Sequence, residues 1–352
     1  MVTETGLSVK RSLLFLLAGI LIFVVYLHFF VGIPTFLDII KTVNLVYYGF
    51  AVVFLVLSMF FGALAWQYLL RPLSVKVSFR KVFLFNWIGS FVDLLVPAES
   101  IGGDVAKVYL LSKEPGATVG KLVASVVGQR ILSILMTLGS LVFGSVVLYT
   151  VKYDLPASVL NLVLLITVGT VFGLLFILLC VLKKGLALRM VGALFRFAFF
   201  VTRGRLRLDG LRAKALEVLE SFYVAMGDLL RNPKTLVLPI LFSLVSWMLS
   251  IFVSSLVFVS LGQQVDFVLI TIVYSVSVNI QSIPLGVPGA VGIVEVVMSS
   301  LYGLLGVEAG VAAAATVLIR LLWVWMKLVV GFVTVQYLDL KNLAEKMRQS
   351  LF

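Results

Sequence analysis

The chain has 352 residues, of which 62% are hydrophobic and only 12% are charged, and its formal net charge is +12. This composition excludes a soluble globular domain, because several stretches are apolar over the roughly 20 residues that a membrane-spanning helix needs. The lysines and arginines cluster at the ends of apolar segments, so the basic excess indicates membrane topology and anionic lipid rather than nucleic acid. The sequence therefore predicts an all-α integral membrane protein whose surroundings are the bilayer and which binds no nucleic acid.

A series of apolar segments runs along the chain. They cover residues 12–33, 45–70, 82–97, 101–112, 121–149, 159–182, 235–261, 267–285, 289–306 and 309–338. Basic residues precede the first segment, follow the second, follow the one at 159–182 and close the chain. The positive-inside rule places all four basic clusters in the cytoplasm. We therefore expect a multi-pass protein of the cell membrane with both termini cytoplasmic.

This orientation constrains two parts of the chain to return to the side from which they enter, either as a re-entrant hairpin or as a pair of full spans. Residues 82–112 must enter and leave on the cytoplasmic side, and residues 267–308 must enter and leave from the outside. The segment at 101–112 is too short to cross, which favours a re-entrant hairpin, whereas both arms of the second hairpin are nearly long enough to span. We expect about six full spans and two re-entrant helical hairpins.

The two hairpins divide the chain into two similar halves. One repeat covers about 45–149 and the other about 235–338, in opposite orientation, which is the inverted-repeat architecture of many secondary transporters. The basic cytoplasmic linker at 183–233 joins them within a single transmembrane domain. Its part at 208–231 carries an apolar residue at every third or fourth position, which predicts an amphipathic helix. Such a helix lies on the cytoplasmic leaflet or packs under the bundle, and the pattern fits both.

Two arginines lie well inside apolar segments. Asp104 precedes Arg130 by 26 positions, and Glu295 precedes Arg320 by 25. A charged side chain at bilayer depth costs about 3 kcal/mol or more, so it indicates a functional site. Matching charges in two halves of the chain favour a duplicated transport fold.

Gly- and Pro-broken stretches precede both arginines, and irregular backbone at membrane depth survives where it lines a cavity. We expect Gly102-Gly103-Asp104 to open one short helix and Pro288-Gly289 to open another. The N–H groups at a helix N-terminus attract anions, and arginine holds phosphate in bidentate fashion. The candidate substrate-binding residues are therefore Arg130, Arg320, Lys107, Gly102, Gly103 and Gly289.

Three carboxylates accompany the arginines: Glu99, Asp104 and Glu295. In one interpretation, they form ion pairs that only fix each hairpin to the following span. In the other, the pairs open to admit an anionic head, or the carboxylates couple transport to protons. Three amides, Gln129, Asn279 and Gln281, are weaker candidates, because amides in spans more often bridge helices.

The sequence shows no signature of an enzyme. It contains no histidine-based metal set, no Ser/His/Asp arrangement and no phosphate-cradling P-loop. We therefore predict that the protein is not an enzyme and uses no cofactor or metal.

The first hairpin resembles a known family. The run PAESIGGDVAKVYLL at 97–111 resembles the P-x-x-x-x-G-G-E/D-x-x-R/K-x-Y-x-L signature of the lysylphosphatidylglycerol synthase transmembrane, or flippase-like, family. Arg130 matches the arginine in that family's following span, and the stretch from Pro284 to Glu295 with Arg320 resembles its second signature. Asp104 stands where glutamate is common and Lys107 where arginine is common. Both residues keep the charge of the signature but differ in side-chain length and geometry.

This resemblance covers the chain from about Leu13 to Leu338 and implies a lipid translocase. Members move aminoacylated phosphatidylglycerol or are similar to proteins that handle glycosylated polyprenyl phosphates. Members that synthesise lysylphosphatidylglycerol carry a large aminoacyl-transferase domain. The chain ends at Phe352 without one, so the resemblance implies translocation and not synthesis.

The function that we expect is flippase-like transport of an anionic lipid or lipid-linked sugar between leaflets. One alternative is a proton-coupled secondary transporter of a small anionic solute, with Glu99, Asp104 or Glu295 as the proton carrier. Another is a non-transporting membrane partner of a glycosyl- or aminoacyl-transferase. A cavity that opens laterally towards lipid favours the first, and an axial aqueous vestibule favours the solute transporter.

Overall fold

The computed structural model describes Leu21, Val24, Val25 and His28 and the ranges 33–95, 101–150, 156–201, 209–283 and 286–349. All regular elements in these ranges are helices, which confirms the predicted all-α fold class. They are α1 (Ile33–Lys41), α2 (Leu45–Leu70), α3 (Phe79–Leu95), α4 (Gly102–Leu111), α5 (Val119–Thr150), α6 (Ala157–Leu182), α7 (Lys184–Val201), α8 (Asp209–Arg231), α9 (Val237–Ser260), α10 (Phe267–Gln281), α11 (Ile293–Leu304), α12 (Ala309–Arg320) and α13 (Lys327–Gln349).

Five helical segments in the described ranges are long and apolar enough to cross a membrane. They are Leu45–Leu70, Val119–Thr150, Ala157–Leu182, Pro233–Ser260 and Ala309–Leu338, with 26, 32, 26, 28 and 30 residues. The last joins α12 to α13 through one turn of π-helix at Leu321–Met326. The remaining predicted span, at 12–33, is the first in the chain and lies almost entirely outside the described residues. The chain is therefore a multi-pass α-helical membrane protein.

Two helical hairpins lie between these spans. The first hairpin consists of α3 and α4, with 17 and 10 residues, and the second of α10 and α11, with 15 and 12. Each arm is shorter than the roughly 20 residues that cross a bilayer. Their lengths favour re-entrant arms in both hairpins, including the second, which the sequence left open.

Packing between the two halves is reciprocal. Helix α2 packs along α9, while α3 of the first hairpin packs on α13, and α10 of the second hairpin packs on α5. A Cβ at Gly144 would lie 2.6 Å from the Ile272 side chain, and a Cβ at Gly331 would overlap Phe91, so small residues bring both pairs close. Two inverted repeats would produce this reciprocal packing, in which each hairpin packs on a span of the other half. The repeat boundaries at 45–149 and 235–338 stay a prediction.

The amphipathic helix α8 packs against the bundle. The later part of its apolar stripe is buried, with Phe222, Met226 and Leu229 in one cluster with residues of α2 and α5. A Cβ at Gly120 would overlap Ser221, so α5 and α8 touch closely. Of the two positions that the sequence allowed for this helix, the structure shows the packed one.

Candidate functional site: a charged cavity between two hairpins

A cavity of about 260 Å³ lies between the hairpins, and both Arg130 and Arg320 line it. The first hairpin contributes Asp93, and the second contributes Tyr274 and Gln281. The two hairpins touch beside the cavity, where Leu94 packs with Val291 and Val324. The fold thus brings into one cavity the two arginines that the sequence singled out in separate halves.

The first hairpin is tied to α5 by an ion pair. The Nη2 of Arg130 donates to Oδ2 of Asp104 at 2.6 Å, and 31% and 23% of the two side chains remain exposed. Lys107, one turn further along α4, lies 3.7 Å from Oδ1 of Asp104 and donates to Oε1 of Gln129 at 3.4 Å. Its ammonium also lies 5.3 Å from the ring centre of Trp66. Asp104 therefore contacts two cations. We call its pair with Arg130 half-open, because both side chains remain partly exposed.

Asp93 belongs to this site and was missed by the sequence analysis. Its carboxylate accepts the backbone N–H of Gly103 at 2.7 Å, and Gly102 is the first residue of α4. We expected the Gly103 N–H to face an anionic ligand, but Asp93 already occupies it. A Cβ at Gly103 would overlap the Gly89 carbonyl and Asp93. The two arms of this hairpin can therefore approach so closely at this point only because residue 103 is glycine. An aspartate in an apolar run just before the hairpin tip was the available signal.

The second ion pair is sealed. The Nε of Arg320 donates to Oε1 of Glu295 at 2.7 Å, and only 5% and 8% of the two side chains are exposed. Arg320 Nη2 also donates to the carbonyl of Gly289. The other oxygen of Glu295 accepts the N–H of Gly292 at 2.7 Å. Each partner thus has a further hydrogen bond to backbone, as a buried pair requires.

The predicted start of the second short helix is wrong. We placed it at Pro288-Gly289, but these residues form a single 3₁₀ turn and α11 begins at Ile293. Gly289 and Gly292, with φ of 60° and 86°, take left-handed backbone conformations that favour glycine. The chain therefore turns back before the helix can start, and Gly289 presents its carbonyl, not its N–H, to Arg320.

The remaining candidate site residues that the structure describes either bridge two helices or line the cavity. Glu99 lies outside the described residues. Asn279 accepts from Thr170 at 2.8 Å and so bridges α10 and α6, while Gln129 contacts Lys107. Gln281 lines the cavity. Across the ranges given above, no three His, Cys, Asp or Glu side chains converge as metal ligands.

A large apolar groove adjoins the cavity. It has a volume of about 1,070 Å³ and runs between α4, α5, α6 and α10. Its edge residues Ile101, Val105 and Leu165 are 60%, 62% and 70% exposed, so the groove opens on the apolar flank of the bundle. The residues that line both the groove and the cavity are Arg130, Ser133, Val278 and Ser282. The arrangement can hold an amphipathic anion, with charge at Arg130 and hydrocarbon in the groove.

Comparison with known proteins identifies a family and several membrane-protein relatives. The lysylphosphatidylglycerol synthase TM region family matches residues 16–331. A UPF0104 membrane protein of Pyrococcus horikoshii is 25% identical over 334 residues, which cover 93% of this chain and 96% of the relative. A UPF0104 membrane protein of Methanothermobacter thermautotrophicus is 28% identical over 319 residues, covering 89% and 91%. Because the family match spans most of its length, the chain belongs to the lysylphosphatidylglycerol synthase TM region family.

Proposed function

We propose that this membrane protein is a flippase-like transporter that moves an anionic lipid between leaflets, either an aminoacyl-phospholipid or a polyprenyl-phosphate sugar. The observation that carries the proposal is the position of Arg130, which lines both the charged cavity and the apolar groove. A lipid head with a phosphate would bind at Arg130 while its chain lies in the groove. Binding of a small soluble anion would not require an apolar groove that opens on the flank of the bundle.

Arg130 is the residue that would exchange partners during transport. Its guanidinium would leave Asp104 and hold phosphate oxygens in the bidentate geometry that arginine favours. Lys107 stays beside Asp104, at 3.7 Å, so the carboxylate keeps a compensating cation after the exchange. Arg320 stays bound to Glu295 and contributes positive potential from the cavity wall. In this scheme the protein transports without catalysing a reaction, sits in the cell membrane and has both termini in the cytoplasm.

The test uses the purified protein and its own lipid. Native mass spectrometry identifies the co-isolated lipid class, and a fluorescent lipid of that class then reports leaflet-to-leaflet transfer in proteoliposomes. Arg130→Ala should slow transfer about ten- to hundredfold, because a charge-assisted hydrogen bond contributes about 1.5–3 kcal/mol. Arg196→Ala is the matched control, since this exposed arginine of α7 donates to the Gly192 carbonyl of its own helix and lines neither the cavity nor the groove. Transfer by Arg130→Ala at the wild-type rate would contradict the proposal.

The groove is tested in the same assay. Gly169 lines it, and an added Cβ there would meet nothing within 4 Å, so Gly169→Phe should place its ring in the groove. We expect transfer to fall as for Arg130→Ala. Gly139→Phe on α5 is the control, because that Cβ also meets nothing and Gly139 does not line the groove. Equal transfer by both phenylalanine variants would remove the groove from the transport path.

A further inference from the structure

We propose that Asp93 is the proton-coupling residue of the cavity: its carboxylate takes up a proton when a lipid phosphate binds at Arg130 and releases it when the phosphate leaves. The inference rests on the proposed function, because it takes the cavity as the site of the lipid head. It adds a link between lipid transfer and the difference in pH across the membrane.

Asp93 differs from the other carboxylates of the site in its partners. Asp104 lies 2.6 Å from Arg130, and Glu295 lies 2.7 Å from Arg320. Each of these two carboxylates therefore already has a compensating charge. Within the described ranges of the chain, Asp93 forms no ion pair, although it lines the same cavity. It is thus the carboxylate that is able to change its charge without breaking a pair.

The hydrogen bond of Asp93 is compatible with reversible protonation. Its Oδ1 accepts the backbone N–H of Gly103 at 2.7 Å. In a neutral carboxylic acid, one oxygen carries the proton while the other still accepts. A proton on Oδ2 therefore leaves the bond to Gly103 in place, and the two hairpin arms stay together. The half-buried side chain faces a cavity of about 260 Å³, which has room for the water that delivers the proton.

Charged and titratable groups surround Asp93 on several helices. They are Asp104 and Lys107 on α4, Arg130 on α5, Tyr274 on α10, Glu295 on α11 with Arg320 on α12, and Lys327 on α13. Of these, the two on α4 and Arg130 are close enough to act on Asp93 through their charge. Arg320 is held in its buried ion pair, and the ammonium of Lys327 lies 4.3 Å from the ring centre of Trp323. Around Asp93, two carboxylates thus share two cations before a lipid binds.

A bound phosphate changes this local balance. When Arg130 turns from Asp104 to the phosphate, three anionic groups share the same two cations, and neighbouring negative charges disfavour the ionised form of a carboxylate. Asp93 then accepts one proton from a hydronium ion of the cavity at Oδ2, and no other covalent bond changes. Since binding and protonation occur together, lipid binding should strengthen as the pH falls. A head that also carries an ammonium group brings a cation with it, so its binding should take up fewer protons.

The first experiment counts protons on lipid binding. The purified full-length protein, in weakly buffered detergent solution with a pH-indicator dye, is mixed with dioctanoyl phosphatidylglycerol or with a short-chain polyprenyl-phosphate glucose. Each probe carries a single phosphate charge. We expect the wild type to take up as much as about one proton per bound lipid. Asp93→Asn keeps an acceptor for Gly103 but has no group to protonate, so it should bind the probes with a Tm close to that of the wild type and without this uptake.

The second experiment imposes a pH difference on proteoliposomes that contain NBD-labelled phosphatidylglycerol. In the wild type, a difference of about one pH unit should shift the distribution of the labelled lipid between leaflets by up to about tenfold. Asp93→Asn should show no such shift. Asp228→Asn is the matched control, because this exposed carboxylate of α8 lines neither the cavity nor the groove. It should behave as the wild type in both experiments.

The outcomes separate this inference from the proposed function. Lipid binding by the wild type without proton uptake, or equal uptake in Asp93→Asn, would overturn the role of Asp93 and leave the proposed function standing. If Asp93→Asn does not fold, the proton count and the pH response of the wild type decide alone, and absence of both overturns the inference. Binding of neither probe by the wild type would overturn the proposed function and this coupling with it.

Discussion

The two hairpins carry nearly the same motif but hold their charges differently. In each, a carboxylate pairs with an arginine in the following span, 26 or 25 positions later. The Arg130–Asp104 pair remains 31% and 23% exposed, whereas the Arg320–Glu295 pair is 5% and 8% exposed. Burial, rather than the motif, therefore distinguishes the two pairs.

The surroundings of the two pairs explain the difference. Arg320 and Glu295 each bond to backbone at the second hairpin tip, so the pair holds that turn in place. Arg130 lies where the groove meets the cavity, and its partner Asp104 also has Lys107 close by. The second hairpin is thus fixed by a buried charge pair. The first hairpin is held by the partly exposed Asp104–Arg130 pair and by the close approach of its two arms at Gly103.

The largest effect should come from breaking the sealed pair. Glu295→Ala leaves the Arg320 charge buried without its partner, which should lower the free energy of unfolding by about 3–5 kcal/mol. Asp104→Ala is the matched variant in the half-open pair and should cost less, about 1.5–3 kcal/mol, since both side chains of that pair remain partly exposed. Thermal or denaturant unfolding in detergent measures both. Equal losses in the two variants would erase the distinction between the hairpins.

A double variant controls for the side-chain truncation itself. Adding Arg320→Met to Glu295→Ala removes the uncompensated charge, so much of the lost stability should return. A double variant as unstable as Glu295→Ala alone would show that packing at the second hairpin tip, and not charge, holds that turn.

A smaller effect is expected from widening the first hairpin. Gly103→Ala places a methyl group against the Gly89 carbonyl, and such overpacking costs about 1–3 kcal/mol. Gly139→Ala is the control, because its Cβ meets nothing within 4 Å and alanine favours the helix. Unfolding of both variants under the same conditions measures the difference. A Gly103→Ala protein as stable as Gly139→Ala would mean that the hairpin arms adjust freely.

The smallest effect is expected at an exposed reference pair. Lys184 donates to Glu220 at 2.8 Å, and this hydrogen bond and the lysine charge hold the pKa of the glutamate below its usual value. Because the folded state has the lower pKa, the pair contributes above the unfolded pKa and loses its contribution as the pH falls through the folded value. The small Tm difference between the wild type and Lys184→Met should therefore shrink from about pH 7 to about pH 3. A difference that grows on acidification would reverse the sign of this argument.

Several features of the site could be predicted from local sequence. Arg130 and Arg320 stood out because a charge in an apolar run is costly, and the carboxylate spacing pointed to their partners. Helix α11 was misplaced because its start depends on left-handed backbone at Gly292, which Pro288-Gly289 does not reveal. Asp93 was overlooked because its role depends on how closely the two arms of the first hairpin approach.

The sequence by itself determined the membrane class, the helical fold and the two arginines of the site, because hydropathy, segment length and misplaced charges are properties of the chain read locally. Only the tertiary structure decided that both arginines line one cavity, that one ion pair is sealed and the other half-open, and that Lys327 covers Trp323. The exposure of a side chain depends on what packs over it, and local sequence does not state which helices will do so.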